Sequence, residues 1–522
     1  MLMLHAHLPY IRYPEHENFL EENWLYETMT ETYIPIINIL GNLIDDSVDF
    51  RISLSLSPPL IEMLSDDLLM SRYQRYLCRL IELSEKEIYR NRKDIRLRDL
   101  AHMYHKRFIR TRHLFENVYR RDLISAFRGL MESGRLEIAT CSATHAYLPA
   151  LMTEPAAVKA QIQLAVAHFR KFFGKKPPGI WLPECGFSPD MDSLLKEAGL
   201  GYFFLESHGV LNSAPGSRKN IYTSVKTRSG ITIFARDASS SRQVWSAQEG
   251  YPGDTDYRDF YRDIGFDLDL GYIGPYLPDS IRTFTGIKYF RVTDRKAVSK
   301  KPYNREKALR KTEIHAADFL KSREKQIMSL HKRLKIRPLI TAAFDAELFG
   351  HWWFEGPEWL DYLMRKGAGK DKSVRFVTPS EFIAENPASE IFNPSLSSWG
   401  QKGYSATWID KSNSWIYKHM HRAARRMGEM AGKNIKARGL LKKALNQAAK
   451  ELLLAQASDW AFMMQKEKAS EFASRKFTEH ITNFSVLYHE ITTGTISREH
   501  LALLEQKNNI FSDIDFRIYA GY

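Results

Sequence analysis

The chain has 522 residues, of which 44% are hydrophobic, 12% aromatic and 26% charged, with 75 basic side chains against 62 acidic ones. A disordered or low-complexity chain is excluded by that apolar content, and a membrane span by the lack of any run approaching about 18 apolar residues. Three widely spaced cysteines, Cys78, Cys141 and Cys185, with no CxxC pair, exclude a disulfide framework and a zinc knuckle.

The net charge of +13 raises nucleic acid as a partner. Segments such as KALRKTEIHAADFLKSREKQ, however, set their basic residues among acidic and apolar ones at helical spacing, the pattern of a solvated helix face. No nucleic-acid partner is expected. The N-terminus, MLMLHAHLPYIRY, lacks the basic start and long apolar core of a signal peptide, so a cytoplasmic protein is expected. The length implies several domains or one large barrel with insertions.

In chain order, LMLHAHL (2–8) reads as a first strand ending at His5 and His7, which share one face because alternate strand residues point the same way. Such a pair can hold a metal or bind substrate hydroxyls; with no third ligand nearby, hydrogen bonding is favoured and no metal is expected. A helical stretch carrying Trp24 follows. RISLSLSPP is the second strand, alternating Ile52, Leu54 and Leu56 with Ser53, Ser55 and Ser57 before two prolines stop it. Residues 60–135 read as charged helices. Further strands are read in LEIATCSATHAYLP, with His145 and Tyr147, in GIWLPECGF, with Trp181 and Glu184, in GYFFLESHG, ending at Glu206 and His208, and in ITIFARD, ending at Arg236 and Asp237.

Residues 239–303 are rich in Gly, Pro, Asp and aromatics, as suits a covering excursion. After a helix over 305–333, LITAAFDAELFGHWW (339–353) reads as a buried strand stopping on Asp345 and Glu347, then Gly350, His351, Trp352 and Trp353. VRFVTPSEFI is read as a last strand. Beyond Asn386 come Trp399, Trp408 and Trp415, then almost unbroken helix, with Asp459 and Trp460 at the end of one long helical run. Each tryptophan is either a sugar platform or interdomain core.

Repeated β/α units argue for a parallel barrel, whose strand C-termini converge on one face. His5, His7, Thr140, His145, Glu184, Glu206, His208, Asp237 and Asp345 all fall at such ends. Two carboxylates from separate strands, Glu184 and Asp345, suit glycoside chemistry, which in its retaining form places them about 5 to 5.5 Å apart. Glu206, Asp237 and Glu347 compete for those places.

HAHLPY (5–10), GRLEIATCSATHAYLP (134–149), WLPECGF (181–187), FDAELFGHWW (344–353) and the tryptophan segment 398–415 together resemble the ordered motif set of glycoside hydrolase family 57. The resemblance implies an α/β fold: an incomplete (β/α)7 barrel with a helical/loop insertion and an all-helical C-terminal domain. The boundaries expected are 1–238 for the first part of the barrel, 239–303 for an inserted region over its mouth, 304–395 for its last part and 396–522 for the helical domain. Glu184 would be the nucleophile and Asp345 the acid/base.

Within that family the chain most resembles 1,4-α-glucan branching enzymes, which cut an α-1,4 bond and pass the held glucan to a 6-hydroxyl. The substrate would be an α-glucan, with no cofactor. Arg262, Trp399 and Asp459 would contact substrate, Trp24, Trp408 and Trp460 would be aromatic walls, and His5, His7, His145 and His351 would complete the binding set. One departure keeps an α-amylase or a 4-α-glucanotransferase open as alternatives, beside a more remote metal-dependent hydrolase using His5 and His7. Branching enzymes of the family use a tyrosine at the tip of a mobile loop near the nucleophile; ARDASSSRQVW (235–245) has none, and Tyr251 is merely nearby.

Overall fold

A computed structural model describes residues 1–213, 218–246, 249–294, 299–369, 373–388, 390–466 and 469–520. Eight strands occur among them: β1 (Leu2–Ala6), β2 (Ile52–Leu56), β3 (Leu136–Ala139), β4 (Gly179–Ile180), β5 (Tyr202–Leu205), β6 (Val225–Lys226), β7 (Thr232–Ala235) and β8 (Ala342–Asp345).

The N-terminal strand organises the first sheet. β1 pairs in parallel with β2 on one side, Met3 opposite Ser53, and with β8 on the other, His5 opposite Asp345. β2 continues to β3, while β4, β5 and β7 form a second parallel sheet with β6 antiparallel on its edge. A parallel bridge between Thr140 and Ile180 joins the sheets on one side, and the Asp237 N–H donates to the Thr341 carbonyl at 2.8 Å on the other. The result is a ring of seven parallel strands, the incomplete (β/α)7 barrel.

Residue alternation decides what faces the inside. Leu2, Leu4, Ala6, Leu54, Leu56 and Phe344 pack outward with the surrounding helices. Met3, Ala139, Tyr202, Phe204, Phe234 and Ala343 fill the barrel interior together with Trp181. In β2 the serines are fully buried too, so the stripe that would face water in a half-exposed strand faces the interior instead.

The helix after β1 is continuous from Asn23 to Asp45 but contains a five-residue π turn, Met29–Tyr33, which reorients the side chains that follow it. Residues 60–135 are helical as expected, with Asp66 and Asp94 capping Asp67–Arg90 and Ile95–His113. In the excursion after β7, Asp263 accepts bonds from the backbone of Gly265, Thr285 and Gly286, and the hydroxyls of Tyr272 and Tyr289 reach Glu87. That segment is therefore tied to the helices of 60–135 as well as to the barrel. Past residue 414 the described chain is helical, with Gly439–Ala455 packed against Ser470–Thr493.

Two sequence expectations change. VRFVTPSEFI forms no strand: Pro379 has no N–H to give a ladder, and Thr378 with Glu381 forms a capping box that starts the helix Pro379–Glu385. The strands read around Glu184 and His145 end early, at Ile180 and Ala139, because Pro183 and left-handed residues turn the chain. The short β6 has no counterpart in the sequence reading. Among the described residues no helix is long and apolar enough to cross a membrane.

Candidate active site

At the C-terminal ends of the strands lies a cavity of about 620 Å³. It is lined by His5, His7, Trp24, His145, Glu184, Arg236, Asp345, His351, Trp399, Trp408 and Asp459, among others. Ten of the twelve site residues expected from the sequence therefore meet here, although they come from positions 5 to 459.

Glu184 sits where the chain leaves β4. Its backbone is left-handed, φ 63° and ψ 19°, and Cys185 follows at φ 50°, a conformation that costs non-glycine residues about 1 kcal/mol or more each. Trp399 holds this turn from the C-terminal region: its backbone N–H donates to the Glu184 carbonyl at 2.9 Å and its indole N–H to Glu184 Oε2 at 2.6 Å. The other carboxylate oxygen accepts from the Ser458 hydroxyl at 3.0 Å. Both oxygens are thus fixed by donors from beyond the barrel.

With Glu184 ionised, the remaining bonds take one direction. Ser458 spends its hydrogen on Glu184, so His145 Nδ1–H donates to Ser458 Oγ at 2.9 Å. His145 Nε2 then accepts from His5 Nε2–H at 2.9 Å, and His5 Nδ1 faces the Ser55 hydroxyl at 3.3 Å, which shares its one hydrogen with the Thr140 carbonyl at 3.3 Å. Burial holds both imidazoles well below their usual pKa, so the chain runs through neutral rings. His145 itself is left-handed, at φ 56°, and its carbonyl accepts the Ser458 N–H at 3.0 Å. His7 stacks on His145 with centroids 3.6 Å apart, reaches Ser57 at 2.8 Å through Nδ1, and reaches both Asp459 oxygens at 3.1 Å through Nε2.

Asp345 ends β8 beside His5. Burial pushes its carboxyl up to about 6, against the pull of Arg236 and His7. Burial likewise pushes Glu184 up to about 7; Asp459 and Asp345 add to the rise while the Trp399 and Ser458 donors oppose it. Asp345 adds to the rise of Glu184 and the two acids line one cavity, which favours one proton on the pair at near-neutral pH. Glu347 is raised further, to about 8, chiefly by burial, and is bound by the Tyr33 hydroxyl at 2.5 Å and the His7 N–H at 3.2 Å. Its bonds point to support of β1.

Of the competing acids, Glu206 pairs with Arg236 and lies away from the cavity lining. Asp237 caps the helix Ala238–Trp245 and faces Gln326 and Arg323 in a separate cavity. His208 Nε2–H donates to the Gly403 carbonyl, and Thr140 bridges the sheets. Two expected contacts fall elsewhere. Arg262 pairs with Asp267 and stacks on Phe290 in the excursion, outside the cavity. Trp460 is fully buried and donates to the Leu454 carbonyl, so it is core and no wall of this cavity.

Trp408 lines the cavity with little exposure, stacked on Tyr147, whereas Trp352 is 41% exposed at the rim with Trp245 edge-on to it at 5.4 Å. Trp353 belongs to the core. Tyr251, the candidate loop-tip tyrosine, is buried and bonded to Asp318 and Gln243, far from any tip. His351 reaches Glu31 at 2.7 Å through Nδ1, a contact the π turn sets up.

By sequence, Ser55 and Ser57 are the alternate residues of the second strand, and Ser458 opens the SDW of the branching-enzyme resemblance. Ser55 stands opposite His5 in the β1–β2 register, and Ser57, just past the strand, reaches His7. Two clusters, His5–Cys141–His145 and His7–His145–Asp459, gather potential metal ligands within 4.8 Å. Each ring nitrogen there already has a protein partner, so a metal would have to displace those bonds.

The family model described as glycosyl hydrolase family 57 matches residues 1–394. The chain belongs to glycosyl hydrolase family 57. A second model, the C-terminal region of 1,4-alpha-glucan branching enzymes, matches residues 419–519 of this family 57 chain. It is 31% identical to a 1,4-alpha-glucan branching enzyme of Thermococcus kodakarensis, covering 98% of this chain and 77% of that one. Among solved structures it is similar to the alpha-amylase AmyC from Thermotoga maritima, with 40% identity, a TM-score of 0.94 and 100% and 99% of the two chains covered. It is also similar to a family 57 branching enzyme from Pyrococcus horikoshii, with 30% identity, a TM-score of 0.89 and 100% and 96% covered.

Proposed function

We propose that the chain is a retaining α-glucan transglycosylase, a 1,4-α-glucan branching enzyme in which Glu184 is the nucleophile and Asp345 the acid/base. The observation that carries the chemistry is the pair of donors, Trp399 and Ser458, fixing both oxygens of a buried carboxylate that shares its cavity with Asp345.

Glu184 attacks the anomeric carbon of an α-1,4-linked glucose unit while protonated Asp345 gives its proton to the departing O4. A β-linked glycosyl-enzyme and a shortened glucan result. Asp345, now a carboxylate, takes the proton of an acceptor 6-hydroxyl, whose oxygen attacks the same carbon and releases Glu184. Two inversions leave an α-1,6 bond. His5, His7 and Asp459 offer donors and acceptors to sugar hydroxyls, and Trp24 and Trp399 offer flat apolar faces. Transfer in place of hydrolysis requires that water be held off the glycosyl-enzyme, which these walls and the Trp245–Trp352 rim favour.

The branching-enzyme match over 419–519 and the Thermococcus relative support transfer to O6. A second reading, α-amylase, is favoured by the Thermotoga likeness and by a segment 235–245 without a tyrosine at its tip. Incubation with amylose separates them: new α-1,6 linkages with few new reducing ends support branching, and reducing ends without branches support hydrolysis.

A further inference from the structure

Outside the glucan cavity, the helices Ile34–Asp45, Ile95–His113 and Gly356–Gly367 enclose a second cavity of about 450 Å³. Lys106, Arg107, Arg110, Arg305 and Arg365 line it against only two acids, Glu358 and Asp361. Those acids are already committed: Asp361, with Asp46, binds Arg365, and Glu358 binds Arg305. Lys106, Arg107 and Arg110, all on one helix, make no ion pair among the described residues.

Arg107 is the decisive group. Its guanidinium lies 4.5 Å from the Phe354 ring, which also carries Arg258 at 3.9 Å and Arg305 at 5.0 Å. Glu31 neutralises Arg258 and Glu358 neutralises Arg305. The third guanidinium of this cluster has no carboxylate, and its Nη2 is buried without a hydrogen-bond partner among the described residues. Arg107 is half-buried along the cavity wall, and an anion in the cavity would give its guanidinium the charge partner it lacks. Burial, with Arg305 and Arg258 nearby, accordingly holds Arg107 below its ordinary pKa even though Glu358 opposes this.

We propose that this cavity binds a small phosphate-bearing ligand, free phosphate or a sugar phosphate, through Arg107, Lys106 and Arg110. Three cations of one helix lining the same cavity match a doubly charged tetrahedral anion better than a single carboxylate, and guanidinium donors suit phosphate oxygens. The rest of the cavity has room for a hexose. Asn38 and Asn42, one turn apart on the facing helix, present amides for hydroxyls beside the apolar wall of Ile39, Met103 and Pro357.

The test is calorimetric titration of the full chain with inorganic phosphate and with glucose 6-phosphate, beside the Lys106→Ala/Arg110→Ala double variant, whose changes lie at exposed positions. The expected result is saturable binding of a phosphate probe with Kd of about 1 mM or tighter, weakened at least tenfold in a double variant that keeps its melting temperature and amylose turnover. Equal affinity for both probes assigns the site to phosphate alone, whereas tighter glucose 6-phosphate binding assigns the sugar to the asparagine side. No saturable binding of either probe, or full affinity in the double variant, overturns the proposal.

Discussion

Trp399 holds Glu184 at two points, its backbone N–H on the Glu184 carbonyl and its indole N–H on Oε2, across 215 residues of chain. A left-handed turn and the orientation of its carboxylate are thereby fixed by one residue of the C-terminal region. Trp399→Phe keeps an aromatic face but removes the side-chain donor. We expect kcat to fall by roughly 10- to 100-fold with KM little changed, and the Glu184 limb of the pH profile to move up, because a donor that favours the ionised form is lost. An unmoved limb would argue that Trp399 acts as a platform only.

The acids at about 6 and about 7 give the pH dependence of the parent. Turnover needs Glu184 ionised and Asp345 protonated; because Glu184 is raised further than Asp345, the single proton rests mainly on Glu184 in the free pair, and the productive arrangement is its minority form. The profile of kcat/KM is therefore bell-shaped, with its maximum between those values and apparent constants that belong to the pair. Stopped assays from pH 4 to 9 on a soluble oligosaccharide measure it.

Glu184 also weakens the fold it serves. Burial raises its folded-state pKa from 4.5 to about 7, so between those pH values the folded chain holds a proton that the unfolded chain has released. Its contribution to stability is fully present below pH 4.5 and is lost as pH rises through about 7. Glu184→Gln, which cannot ionise, should be more stable than the parent at pH 8 by about 1–3 kcal/mol and close to it at pH 4. Thermal melts at the two pH values check the difference.

Gly350 has φ 119° and its missing Cβ would stand 1.8 Å from the Glu31 carbonyl oxygen. Neither the backbone angle nor the approach tolerates a side chain. Gly350→Ala should therefore separate the His351 turn from the π turn and lower stability by about 3 kcal/mol or more, or leave the protein insoluble. Denaturant unfolding, with His351→Ala as a control that spares the backbone, distinguishes strain from loss of the imidazole.

Chelation should leave the rate unchanged, because His5, His7 and His145 direct their ring nitrogens at Ser55, Ser57, Ser458, Asp459 and one another. A loss of activity in chelator that zinc restores would assign these imidazoles to a metal instead.

Much of the barrel was legible because strand alternation and strand-end residues follow from local chemistry. β1, β2 and β8 sit where their patterns place them, and His5, Glu184 and Asp345 share one cavity. What failed depended on long-range packing. Trp399 and Trp460 are the same residue type, yet one is half-exposed in the cavity and bonded to Glu184 while the other is sealed within the helical region. Arg262 is a plausible sugar contact by type, but Asp267, five residues on, takes it first. VRFVTPSEFI has strand-forming residues, and its proline and capping pair outweigh them. Ser458 stands 274 residues from Glu184, and only the fold brings its hydroxyl to that carboxylate.

The most direct test of the account is azide rescue of Glu184→Ala supplied with an α-maltosyl fluoride donor. With the nucleophile gone, azide occupies its place and attacks the anomeric carbon on that face. The account predicts restored turnover yielding the β-maltosyl azide, while Asp345→Ala with azide yields the α-product through an intact glycosyl-enzyme. No rescue of Glu184→Ala, or an α-azide from it, would contradict the assignment of Glu184 as the residue that holds the glucan.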